Sequence, residues 1–325
     1  MSGRSPAPWQ VWGALSVVYV VWGSTYLAIA FVVEDLAPLL SASLRFAVAA
    51  ALLAGFLVLR RGPRALLAPR GQLLRAAGIG LLLLLGGNGL VVLAEQRDLP
   101  SGLAALLVAG VPFWVVLLRA ATGDRPAAGT VVGVLVGFAG VAVLLLPGAR
   151  PEGVSGLAVA MVLLSSLLWS LGSFLAARGG LPADPLLTTV AQMVGGALGL
   201  GLCGLLLGES PQPGRVGTAS WVALAYLVLF GSLAAFTAYS WLLGVAPTSQ
   251  VATYAYVNPV VAVGLGALVL GERVTPVTAV GGLVTVVGVA VVVSQEGRRK
   301  RAAAVLAEAS GESQTPVDVR DRART

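Results

Sequence analysis

The sequence predicts an all-α membrane protein: ten transmembrane helices, arranged as two inverted five-helix repeats around a central cavity. Three observations carry this reading. The 325 residues are 57% hydrophobic and only 11% charged, where a soluble domain carries roughly 25% charged residues. The apolar residues gather into ten stretches of about 20 residues, the length that crosses a bilayer core as a helix. The first half of the chain also falls on the second when it is shifted by 147 residues.

The expected spans cover residues 10–33, 39–59, 73–96, 99–121, 128–147, 154–177, 185–207, 219–243, 246–270 and 275–294. The first follows Arg4 as a secretory leader would. Its run is too long and no small-x-small cleavage site follows, so it reads as a retained span. Residues 295–325 are mostly polar and carry the run Arg298, Arg299, Lys300, Arg301. They are expected to form a disordered basic tail. The expected units are therefore residues 1–150, residues 151–294 and the tail, 295–325.

Charge gives the topology. Arg60, Arg61, Arg64, Arg70 and Arg75 lie between spans 2 and 3; Arg119, Arg125, Arg178 and the tail fall on the same side. The other side holds Arg97, Arg150, Arg215 and Arg273, with Glu34, Asp35, Glu95 and Asp98. Cytoplasmic loops collect Arg and Lys, so both termini are expected in the cytoplasm. The net charge of +7 then reads as a topology signal and not as a nucleic-acid surface. With no histidine and one cysteine, Cys203, an imidazole base, an internal disulfide and a cysteine metal cluster are excluded. There is no nucleotide-binding G-x-x-x-x-G-K-[ST] motif, no intramembrane carboxylate pair and no arginine ladder. No catalytic residue, metal or cofactor is expected. The expected partners are a small-molecule solute and the lipid bilayer.

The 147-residue shift places Trp22 on Trp169, Pro38 on Pro185, Pro100 on Pro247 and Pro112 on Pro259. Three of the nine prolines before residue 150 land on prolines, where chance gives about half of one. With one extra residue, Gly133 and Gly140 fall on Gly281 and Gly288. Each unit has five spans, an odd number, so the second unit is inverted. Trp22, Trp169, Pro112 and Pro259 then converge near the midplane, where transporters of this build bind solute.

The stretch Q-V-A-T-Y-A-Y-V-N-P (Gln250–Pro259) lies in span 9. Gln250, Tyr254 and Asn258 are four residues apart and share a helical face; Pro259 is expected to bend the helix. Such polar groups need partners or a water-filled cavity. Its mate, Leu103–Pro112, shares the proline but not the polar stripe. Pro112 and Pro259 are therefore expected hinges, with selectivity carried by span 9. In span 1, Trp22 and Tyr26 either face a solute or pack helices, and Trp22 is too deep for an interfacial anchor. Ser165, Trp169 and Ser173, then Ser232, Phe236 and Tyr239, form similar faces on spans 6 and 8. Asn88 in span 3 calls for a hydrogen bond, and Glu95 lies seven residues on, near the outer end. Arg45 is the one cation well inside a span, with Gln192 as its repeat mate. It either holds a solute carboxylate, pairs with backbone carbonyls or Glu95, or snorkels to the interface; a structural role is the preferred reading. Glu272 suits a turn or cap. The glycines of spans 5 and 10 suit close packing between helices, or between protomers of a homodimer.

W-G-S-T-Y in span 1, Arg45, G-N-G and A-E-Q within Gly87–Gln96, Y-A-Y-V-N-P and the L-G-E stretches resemble an EamA-type member of the drug/metabolite transporter superfamily. More narrowly, they resemble its bacterial inner-membrane exporters, from about Val11 to Ser294. The resemblance implies a cavity lined mainly by spans 1, 3, 4, 6, 8 and 9, alternating access, and export of amino acids, related metabolites or toxic small molecules. Trp22, Tyr26, Asn88, Trp169, Tyr239, Gln250, Tyr254 and Asn258 are the expected binding residues. The alternatives are a passive facilitator, a translocator of a lipid-linked solute, and a non-transporting scaffold.

Overall fold

A computed structural model describes residues 7–123, 126–144, 154–210, 216–246, 251 and 253–312. Among these the regular structure is entirely helical. α1 (Pro8–Asp35) and α2 (Pro38–Arg61) are joined by two residues. After a 3-10 turn at Pro63–Leu66, α3 runs as Arg70–Gly80, a π-helical Leu81–Gly89, and Leu90–Glu95. α4 comes in two pieces, Ser101–Val108 and Val111–Ala121. α5 (Ala128–Leu144), α6 (Gly156–Ala177) and α7 (Pro185–Leu206) follow. α8 runs as Thr218–Tyr226, a π-helical Leu227–Phe236, and Thr237–Val245. α9 is Tyr254–Leu265 with a π-helical Gly266–Leu270, and α10 is Pro276–Glu312. Eight helices are long and apolar enough to cross a membrane, and Ala128–Leu144 and Val257–Leu270 are shorter apolar helices. Pro8, Pro38 and Pro185 open their helices, where a missing N–H removes no intrahelical bond.

The tail differs from expectation. α10 does not stop near Ser294 but continues to Glu312, through R-R-K-R-A-A-A-V-L-A-E-A. Arg, Lys, Ala, Leu and Glu are strong helix formers, so propensity extends the helix past the apolar segment. Residues 313–325 lie outside the described part.

The repeat is written into irregularities of the backbone. The 147-residue shift carries the π segment of α3 onto residues 228–236, almost the whole π segment of α8. Single-turn π geometry is rare in helices, so two long segments at one repeat position mark common ancestry of the halves. The prolines are less alike. α4 breaks at Ala109–Gly110, and Pro112 sits in the first turn of its second piece. Pro259 lies inside the continuous helix Tyr254–Leu265, and α9 breaks earlier, at Thr253. The shared proline therefore does not mark a shared break.

The two units are tied at both ends. At one end three carboxylates each cap a helix of the other unit. The Glu209 carboxylate accepts from the backbone N–H groups of Leu39 and Leu40 at 3.1 and 2.8 Å. Glu272 accepts from the Ser101 N–H (2.7 Å), the Ser101 hydroxyl (2.8 Å) and the Gly102 N–H (3.1 Å). Asp35 accepts from the Gly217 N–H (2.9 Å) and the Ser220 hydroxyl (2.6 Å). Helix N-termini offer free N–H groups and a positive dipole end, so these caps hold without a cation. At the opposite end Arg61 donates to Asp184 at 2.6 Å, and Asp184 also caps α7 through the Leu186 N–H.

Glycines set the closest helix approach. A Cβ at Gly140 would collide with the Thr285 backbone nitrogen, and one at Gly288 with the Gly137 backbone. These glycines join α5 to α10 within one chain, so they give no argument for a homodimer. Gly140→Val and Gly288→Val are each expected to lower stability by about 1–3 kcal/mol, because backbone must move to admit the side chain. Gly264→Ala, where nothing lies within 4 Å, is the neutral control. Thermal unfolding of the detergent-solubilised protein, followed by loss of the monodisperse peak, measures both.

Candidate functional site

A cavity of about 80 Å³ lies between the two units. Trp22, Thr25, Tyr26 and Ile29 of α1 line it, with Arg45 and Phe46 of α2. α3 supplies Leu84, Gly87, Asn88 and Val91, and α4 supplies Val108. From the second unit come Ser165 and Trp169 of α6, Gly231 and Phe236 of α8, and Tyr254 and Asn258 of α9. All the α8 residues and all but one from α3 belong to the π segments. A π turn widens the helix and re-aims its face, which is how apolar runs such as L-L-L-L-L-G-G-N-G turn Gly87 and Asn88 inward. At roughly 10–15 Å³ per water, the space holds a handful of atoms. A larger solute requires helices to separate.

One wall is aromatic. Trp22 stands at its centre, with ring centroids 4.9 Å from Tyr239, 5.4 Å from Tyr254, 5.7 Å from Trp169 and 6.4 Å from Phe236. The repeat mates Trp22 and Trp169 meet edge to face, the arrangement that ring quadrupoles favour. Gly87 makes this possible, because a Cβ there would come within 2.7 Å of the Trp169 ring. Trp22 Nε1 donates to the Gly231 carbonyl at 3.2 Å, inside the π segment of α8. Tyr239 is buried behind this wall and does not line the cavity.

Asn258 ties α9 to α1. With its amide nitrogen facing them, it donates to the carbonyl oxygens of Tyr19 (3.1 Å) and Tyr254 (3.3 Å). The Tyr19 hydroxyl is hydrogen-bonded to Thr253, at the break that precedes α9. Gln250, the first member of the expected stripe, lies outside the described residues. The stripe is thus partly a helix-to-helix fastening, and Tyr254 and Asn258 reach the cavity from it.

The polar groups around the cavity are incompletely satisfied. The buried Asn88 Oδ1, Trp169 Nε1, Ser173 Oγ and Thr237 Oγ1 have no formed hydrogen bond. Tyr239 is directed towards Ser173 and Trp169 without closing one. Ser165 donates to the Gly87 carbonyl at 2.5 Å. Arg45 Nε donates to Ser232 Oγ at 2.8 Å, and its Cζ lies 4.7 Å from the Phe46 ring centroid. It is 4% exposed, so it does not snorkel. It makes no pair with Glu95, whose two carboxylate oxygens are buried and unpartnered in the neighbourhood of Tyr26 and Glu272. Of the alternatives for Arg45, pairing with Glu95 and snorkelling do not occur, and its partner is a hydroxyl from α8.

The structure gathers Trp22, Tyr26, Arg45, Asn88, Trp169, Tyr254 and Asn258 in one place. It sets Tyr239 behind them, Glu95 off to one side, and Pro112, in the first turn of its helix piece, and Pro259, inside α9, outside the lining. Phe46, Leu84 and Val108 had no signal in the sequence, because an apolar residue in an apolar span looks the same whether it faces lipid, protein or cavity. If the cavity admits solvent-borne molecules, Asn88→Cys in a Cys203→Ser background should react with a methanethiosulfonate reagent. Reaction should be at least about tenfold faster than for Ser170→Cys, because thiol reactivity follows access. Ser170 is fully buried and bonded to the Val111 and Ser166 carbonyls. Mass spectrometry of the alkylated protein gives both rates.

Comparison with known proteins agrees with this architecture. The model of the EamA-like transporter family matches twice, at residues 8–146 and 156–294. An uncharacterized inner membrane transporter of Escherichia coli (strain K12), YedA, is 37% identical over 267 residues, 82% of this chain and 85% of that protein. A probable amino-acid metabolite efflux pump of the same organism is 25% identical over 84% of this chain and 91% of its own. A solved crystal structure shares the fold with a TM-score of 0.65 at 22% identity, over 90% of this chain and 99% of that one.

Proposed function

The chain belongs to the EamA-like transporter family, and on that premise we propose that it is a secondary exporter of a small neutral, zwitterionic or amphipathic solute. The observation that carries the reading is the aromatic-walled cavity between two inverted units, with Asn88 in its lining left with an unpartnered Oδ1. Inverted repeats support alternating access, because each unit in turn adopts the other's conformation. The charge pattern supports a bacterial inner membrane, with the arginine-rich end and both termini in the cytoplasm. On that topology the end capped by Asp35, Glu209 and Glu272 faces outward. Solute enters between the units from the cytoplasm and meets Trp22, Tyr26, Asn88, Trp169, Tyr254 and Asn258. The breaks in α4 and α9 then let those helices swing. The likeness to an efflux pump for amino-acid metabolites supports solutes of that size, and no chemical reaction is assigned to the site.

Counterflow in proteoliposomes loaded with L-leucine, L-phenylalanine, L-threonine or ethidium is the test. At least one of these should exchange faster than in protein-free liposomes. Trp22→Ala and Asn258→Ala should each slow that exchange by about tenfold or more, the equivalent of about 1.4 kcal/mol. Wild-type rates in both variants would remove them from the site, and no exchange of any probe would remove the exporter reading. Accumulation of solute against its gradient under an imposed proton gradient distinguishes an exporter from a passive facilitator.

A further inference from the structure

We propose that Arg45 is the anchor for a carboxylate on the transported solute, which makes the solute a small monoanionic or zwitterionic carboxylic acid with an apolar or aromatic body. The inference rests on the exporter reading and names the substrate class within it.

Arg45 is buried, yet among the described residues its one hydrogen bond runs from Nε to Ser232. The two terminal nitrogens are the pair of the guanidinium that grips a carboxylate in two parallel bonds, and the residue lines the cavity. The surroundings hold the group in place. Ser232 fixes Nε and the Phe46 ring lies against the charge. Gly231 leaves space, since a Cβ there would stand 2.8 Å from Nη2.

The repeat argues against a purely structural role. Gln192 occupies the matching position in α7 and is equally buried, at 4% exposure. The fold is thus satisfied at this position by a neutral amide. A guanidinium with no carboxylate beside it adds a large desolvation penalty in a membrane, which an anionic solute relieves. A single cation suits one carboxylate and not a phosphate dianion. Asn88 also lines the cavity, with its Oδ1 unpartnered, so an N–H on the same solute has an acceptor. The aromatic wall takes the apolar body.

The experiment compares acids with their matched primary amides in proteoliposome exchange and in thermal shifts of the full-length protein. The probes are phenylacetate and phenylacetamide, 3-methylbutanoate and 3-methylbutanamide, L-leucine and L-leucinamide, and L-phenylalanine and L-phenylalaninamide. At least one acid should exchange, with its amide about 10- to 100-fold weaker, the worth of a charged hydrogen-bonded pair. Arg45→Gln should abolish that preference. Arg45→Lys should keep it at about tenfold lower acid affinity, because an ammonium cannot bond at two points. Amides that exchange as well as acids overturn the proposal and leave the exporter reading standing. So does an Arg45→Gln protein that still prefers acids, or an Arg45→Lys protein whose acid and amide affinities fall together. If no acid exchanges, the proposal falls; the exporter reading falls with it only if L-threonine and ethidium also fail to exchange.

Discussion

A bilayer offers no water to a polar group, so every N–H, carbonyl and hydroxyl inside a span must find its partner in the protein. Most of this chain obeys that constraint locally. Ser24, Thr25, Ser41, Ser166, Thr189 and Thr285 donate back to carbonyls three or four residues earlier on their own helices. Carboxylates cap helix starts across the two units. Against that background the exceptions carry information. Among the described residues, Asn88 Oδ1 and Trp169 Nε1 belong to groups on the cavity wall, Arg45 there bonds through Nε alone, and Ser173 and Thr237 lie on α6 and α8.

Ten spans, two units and the meeting of Trp22 with Trp169 were legible in the sequence, because length, loop charge and proline spacing report on the bilayer and on duplication. The π segments were not. Leu81–Leu85 is a plain leucine run, and its wider turn comes from packing against the second unit. Nor was the partner of Arg45. A sequence shows that a buried cation needs compensation, and Glu95 was the nearest acid by depth. The fold instead brings up the Ser232 hydroxyl, which looks like any small packing residue in a span. α10 extends past the apolar segment for another reason: the composition there is polar, yet Ala, Arg and Lys in series favour helix.

The two units share a backbone but divide the chemistry. Both bring a tryptophan to the wall and both bend it with a π segment. Among the described residues, only the first unit places a cation there, and the second supplies Tyr254 and Asn258. The cavity lining is therefore not confined to α9: Arg45 reaches it from α2, Trp169 from α6, and Tyr254 and Asn258 from α9.

The pairing of Arg45 with Gln192 has a genetic consequence. In a protein made of two separate, identical five-helix subunits, any substitution appears twice, and a charge near the axis would face its own copy. Fusion into one reading frame removes that restriction. A single codon change can then alter one wall of the cavity and leave the opposite wall as it was. This chain differs between its halves at that position, with Arg45 in one and Gln192 in the other.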